Sequence, residues 1–95
     1  MKYTVIAYDN FHFVEGEFRR IGEFDDLALA MEACKQVVNE SLAEAVGSDV
    51  NELMSYYSTY GEAPSIWSDG VDNPFKPYEY AQLRCEEIIR HSRDG

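Results

Sequence analysis

Apolar residues in the stretch FDDLALAMEACKQVVNESLAEAVG recur at Leu27, Met31, Cys34, Val38, Leu42 and Ala45. Steps of three and four put them on one face of a helix. Glu32, Lys35, Gln36, Asn39, Glu40 and Glu44 fall on the opposite, wet side. Asp25 is placed to cap the helix N-terminus, and Asp26 to meet the positive end of its dipole. Phe24 and Leu29 occupy the staple positions around that cap, and Gly47 can close the far end. The pattern predicts one long helix over residues 25–46.

Two strands are predicted before it. In KYTVIAY, Tyr3, Val5 and Ala7 share one face and Thr4, Ile6 and Tyr8 the other. Both faces are apolar, as in a central strand. In EFRRIGEF, Phe18 and Phe24 point the same way with Gly22 between them, at a bulge or a close approach of the helix. Arg20 shares that face against the pattern. Either the register breaks near Gly22, or Arg20 reaches the sheet margin and pairs with an acid. The turn between the strands falls at Asp9-Asn10 or at Glu15-Gly16. The later position is favoured, because Phe11 to Val14 are poor loop residues, and the strands then form an antiparallel hairpin.

A second, shorter helix starts at Asp49, with Glu52 three residues on as in a capping box, and ends at Gly61. Leu53, Met54, Tyr57 and Tyr60 supply its apolar face. Residues 62–77 are the least regular, with a short third strand expected at Ser65–Ser68 and turns at Asp69-Gly70 and Asp72-Asn73-Pro74. Pro77 suits the first position of a last helix, with Phe75 and Tyr80 spaced to staple it. Tyr78, Ala81, Cys85 and Ile88 form its stripe.

The expectation is one α+β domain over residues 1–95, in the order β-β-α-α-β-α, with helices on one face of a small antiparallel sheet. Its core should comprise Val5, Ala7, Phe18, Phe24, Leu27, Met31, Cys34, Val38, Leu42, Leu53, Tyr57, Ala81, Cys85 and Ile88.

Charge narrows the partners. The net charge is -10, from 18 acidic and 8 basic residues divided evenly between residues 1–48 and 49–95. Such a surface repels phosphate backbones and anionic membranes, so neither nucleic acid nor membrane is an expected partner. It favours solubility and steers a basic protein inward. No basic region followed by an apolar run opens the chain, no stretch approaches a membrane span, and two cysteines make no disulfide framework. A cytoplasmic location is expected, with Cys34 and Cys85 reduced and buried.

Candidate chemistry is sparse. Asp9, His12 and Glu15 could bind a metal or exchange a proton if the chain turns between them, whereas turn formation with a surface His12 needs no such convergence. Asp69, Asp72 and Asn73 offer oxygen ligands, but Gly70 and Pro74 break the calcium-loop spacing, and turn chemistry explains them. No glycine-rich phosphate loop and no nucleophile elbow occurs. Catalysis is therefore not the expected activity, and no metal or cofactor is expected.

Aromatics are the stronger lead. Seven Tyr, five Phe and one Trp exceed what one small core needs, and Tyr and Trp dominate protein-binding hot spots. The expected surface is a patch of Tyr60, Trp67, Phe75 and Tyr78, used against another protein or a second copy. The competing account folds Trp67 and Phe75 down as a lid on the core. Function is thus expected to be that of a small acidic protein-interaction module, with homodimerisation as one form. The alternatives are an acidic inhibitor or nucleic-acid mimic of a basic partner, and a metal- or proton-handling enzyme around Asp9, His12 and Glu15. The opening YTVIAYDNFHF, the hairpin, Gly22–Phe24 and the helix with Cys34-Lys35 resemble small bacterial proteins known only as hypothetical. That resemblance covers the first half of the chain and implies no activity or site.

Overall fold

The structure is a computed structural model that describes residues 2–10, 18–68 and 74–94, the last three as backbone alone. Its elements are β1 (Tyr3–Asp9), β2 (Phe18–Phe24), α1 (Leu27–Ala43), α2 (Val50–Tyr60), β3 (Glu62–Trp67) and α3 (Pro77–Asp94). This is the α+β order expected. β1 lies at the centre, antiparallel to both neighbours, in the strand order β2-β1-β3. Its central position explains its two apolar faces. Val5, Ile6 and Ala7 are all buried.

The core lies between one face of the sheet and the helices. Val5 and Ile66 from the strands pack with Ala30, Cys34, Val38 and Leu42 of α1, Leu53 and Tyr57 of α2, and Ala81 and Cys85 of α3. All three helices therefore serve the same side of the sheet.

The break near Gly22 is real. Val5 pairs with Gly22 and Ile6 with Arg20, leaving Ile21 as the extra residue of a bulge. Ile21 packs against the core, and Arg20 passes to the opposite face. There Arg20 also pairs with Glu23, so both accounts of the anomalous arginine hold together. The same break corrects the expected core. Phe18 shares the face of Tyr8, its partner in the register, and is 60% exposed, whereas Phe24 packs on the core.

Element ends differ in detail. Asp26, not Asp25, caps α1, its carboxylate accepting from the Ala28 amide at 2.8 Å. With Asp26 as the cap, the staple positions become Asp25 and Ala30, so the expected pair of Phe24 and Leu29 forms no staple, and Leu29 is exposed. α1 ends at Ala43, short of Gly47, because the amides of Glu44 and Ala45 turn back to the Ser41 and Leu42 carbonyls in a tightened last turn. Gly47 serves close approach instead. A Cβ there would lie 2.7 Å from Cβ of Glu52.

Asp49 caps α2 by accepting from the Glu52 amide at 2.8 Å. The return bond goes to Ser48, whose amide and hydroxyl both donate to Glu52. β3 begins at Glu62, earlier than the expected Ser65. Pro64 obscured it, yet a proline is tolerated on an edge strand.

Candidate functional site

Opposed residues of an antiparallel pair project to the same side of a sheet. The register therefore sorts the strands into two faces. Thr4, Ile6 and Tyr8 of β1 share the outer face with Phe18, Arg20 and Glu23 of β2 and with Ala63, Ser65 and Trp67 of β3. Contacts along that face agree with the assignment. The Tyr8 and Phe18 rings stand 6.0 Å apart, and the Trp67 indole donates to the Ser65 hydroxyl at 3.2 Å. Lys2 approaches Glu23 at 3.8 Å.

All three helices lie against the other face, and no described helix or strand covers this one. Phe18 is 60% and Trp67 56% exposed on it, whereas Ile6 between them is buried at 8%. The sequence pattern missed Phe18 because a bulge, invisible to period-two counting, separates it from Phe24.

The expected patch of Tyr60, Trp67, Phe75 and Tyr78 does not assemble as one surface. Phe75 is 4% exposed and belongs to the core, against Tyr80 at 5.7 Å between ring centroids. For Phe75 the lid account is the correct one, and it leaves the patch. Trp67 stands at the far end of β3 from Glu62, a run of roughly 17 Å of extended chain. Tyr60 and Tyr78 lie near the Glu62 end. Tyr60 contacts Tyr56 at 5.1 Å between centroids, and Tyr78 packs edge-on to Tyr57 at 5.6 Å. Trp67 alone of the four lies on the outer sheet face.

Asn10 was expected only as one half of a turn. Its amide donates to the Gly61 carbonyl and its side chain donates to the Tyr57 carbonyl, both at 3.0 Å. Its side-chain oxygen accepts from the Tyr78 hydroxyl at 3.1 Å. One side chain thus ties the end of β1 to α2 and α3, a structural task. Asp9 ends β1 opposite Glu62, while His12 and Glu15 lie outside the described residues, as do Asp69, Asp72 and Asn73. Among the described residues, no group of three His, Cys, Asp or Glu side chains could hold a metal ion.

Acidic groups gather on the helical side. Glu32 and Glu40 belong to α1 and Glu44 caps its end, Glu52 belongs to α2, and Glu79, Glu86 and Glu87 to α3. A cleft of about 210 Å³ runs between Glu40 of α1 and its cap Glu44, Tyr56 and Tyr60 of α2, and Glu62. Glu62 already holds Arg19, whose guanidinium forks onto both carboxylate oxygens at 2.6 and 2.8 Å. That bond, with the charge of Glu62 and Glu40, outweighs desolvation and raises the Arg19 pKa further.

Cys34 and Cys85 are free and buried. Burial pushes the Cys34 thiol up to about 12, and burial followed by the charge of Glu86 raises Cys85. Neither is an activated nucleophile.

No described helix is long and apolar enough to cross a membrane. Comparison with family models, curated proteins and solved structures finds no match to the chain.

Proposed function

We propose that this chain is a small acidic protein-interaction module that docks through the outer face of its sheet. The observation that carries this reading is the placement of Phe18 and Trp67, both more than half exposed, on a sheet face that no described element covers. Large exposed aromatics are the usual anchors of a protein interface. The reading sets the protein in the cytoplasm, in keeping with two free, buried thiols. It involves no cofactor, nucleic acid or membrane, in keeping with the net charge of -10.

A second reading, occupation of a basic partner's site by an acidic mimic, has the net charge and the Glu40–Glu44–Glu62 cleft behind it. Salt separates the two. Complexes made by acidic helices dissolve in moderate salt, and complexes centred on aromatics persist. The test is capture of binding proteins on the immobilised chain at low and high salt, for the parent and Trp67→Ala. Salt-resistant capture lost in Trp67→Ala supports docking through the sheet. Capture that salt removes and that Trp67→Ala leaves intact supports the mimic.

A further inference from the structure

We infer that the cleft between the C-terminal ends of α1 and α2 is a docking site for an arginine side chain of a basic peptide segment. The site is separate from the outer sheet face and stands or fails independently of docking there. The fold places charges badly at this cleft. Glu40 lies in the last turn of α1 and Glu44 caps that helix, so both sit at the negative end of its dipole. They are also four residues apart, the spacing at which like charges on a helix face repel. Neither α1 nor α2 carries a basic residue in its last turn to offset this. Arg19 feels the charge of Glu40, but its guanidinium is committed to Glu62. Among the described residues, neither Glu40 nor Glu44 forms an ion pair. Sequences break such local rules chiefly at functional sites. A cation bound here relieves both conflicts at once.

The lining specifies the kind of cation. Tyr56 and Tyr60, one turn apart with ring centroids 5.1 Å from each other, form the α2 side of the cleft. At about 210 Å³ the cleft is smaller than the roughly 300 Å³ of a drug-sized site, and it suits one long side chain. A guanidinium is planar, so it stacks on a tyrosine ring and forks onto a carboxylate. Glu62 in the cleft wall already takes such a fork from Arg19. A bare metal ion would make no use of the rings, and no group of three acids among the described residues could hold one. The same two tyrosines line a more open hollow on their other side, together with Val46. Val46 is 77% and Tyr60 55% exposed, so an aliphatic residue next to the arginine can rest there. Charge complementarity selects the basic segment, since a net charge of -10 draws it in.

The test is titration of the isotope-labelled full chain with the peptide acetyl-Gly-Arg-Val-Gly-amide, followed by backbone amide shifts. It compares the parent, Glu40→Gln combined with Glu44→Gln, Tyr60→Ala and Trp67→Ala. A neutral peptide with citrulline in place of arginine is the control, and thermal midpoints confirm that each variant is folded. Saturable shifts centred on residues 40–47 and 55–62 are expected, with a dissociation constant on the order of 1 mM. The citrulline peptide and the double glutamate variant should each weaken binding by about tenfold, as loss of a charge-assisted hydrogen bond does. Tyr60→Ala should weaken it by about fivefold, as loss of an exposed cation–π contact does. Trp67→Ala should bind as the parent does. A parent that shows no saturable binding up to about 10 mM overturns the inference. So does equal binding of the citrulline peptide. Binding indifferent to Tyr60→Ala also overturns it, because general acidity alone then explains the attraction. None of these outcomes touches the docking reading, which rests on Trp67-dependent capture.

Discussion

The hydroxyl of Tyr57 donates to the backbone carbonyl of Glu62 at 2.8 Å, so the last turn of α2 holds the first residue of β3. Tyr57 is fully buried and sits among residues from all three helices and two strands. The same junction is closed by the Gly61 amide on the Tyr57 carbonyl at 2.8 Å and by the Glu62 amide on the Ser41 hydroxyl at 3.0 Å. This knot fixes where β3 enters the sheet, and so the register that sets Trp67 opposite Thr4. Tyr57→Phe keeps the ring and strands a carbonyl. It should cost about 1–2 kcal/mol, read as a lower urea midpoint with an unchanged slope. An unaltered midpoint would show that the hydroxyl contributes nothing to the junction.

Gly61 is required by space. Its φ of -77° suits any residue, but a Cβ there would fall 2.5 Å from a Tyr57 ring carbon and 2.8 Å from the Tyr57 carbonyl oxygen. Gly61→Ala should therefore destabilise the fold by about 2 kcal/mol or more, since the Tyr57 ring has no room to retreat. Gly22 is the contrast. Its added Cβ would meet only the Phe24 ring, at an ordinary 3.5 Å. Gly22→Ala should stay within about 0.5 kcal/mol of the parent. Equal losses at both positions in chemical denaturation would refute this difference.

Alkaline stability should carry the mark of the buried thiol. The Cys34 pKa rises from 9.0 to about 12 on folding because burial strips water from the thiolate. Below pH 9 its contribution is intact. Between pH 9 and 12 the unfolded chain binds fewer protons than the folded one, so stability falls as pH rises. One thiol adds at most about 1.4 kcal/mol per pH unit to that fall. The raised pKa of Tyr57, from burial and then from the charges of Tyr78 and Glu62, acts in the same direction from pH 10 upward. Cys34→Ala should flatten the fall between pH 9 and 10 in urea titrations. Parallel curves for parent and variant would contradict the assignment.

What the sequence made legible follows from the range of its signals. Period-four spacing and cap chemistry located α1, α2 and α3, because those signals are local and repeat over several turns. The buried pair Cys34 and Cys85 was legible for the same reason. Pro64 masked the first half of β3, since a proline reads as a break unless its strand is known to be an edge. The bulge at Ile21 exists only in the pairing of β2 with β1, so neither the outward turn of Phe18 nor the release of Arg20 could be read from spacing. Phe75 looked like a surface residue because an irregular segment carries no periodicity to show which way it faces. The aromatic lead pointed to Trp67 correctly as exposed, yet its neighbours on the surface come from other strands.

Trp67 is the single tryptophan of the chain, and it lies on the outer sheet face, so its own fluorescence reports what covers that face. The most direct measurement is its emission maximum and iodide quenching in the purified chain, alone and with a protein captured on the immobilised chain. The account predicts a half-exposed indole in the free chain and, on binding, a shift of emission to shorter wavelength with loss of quenching. The same change should be blunted in Phe18→Ala. Emission and quenching that stay constant on binding, in parent and variant alike, would contradict it.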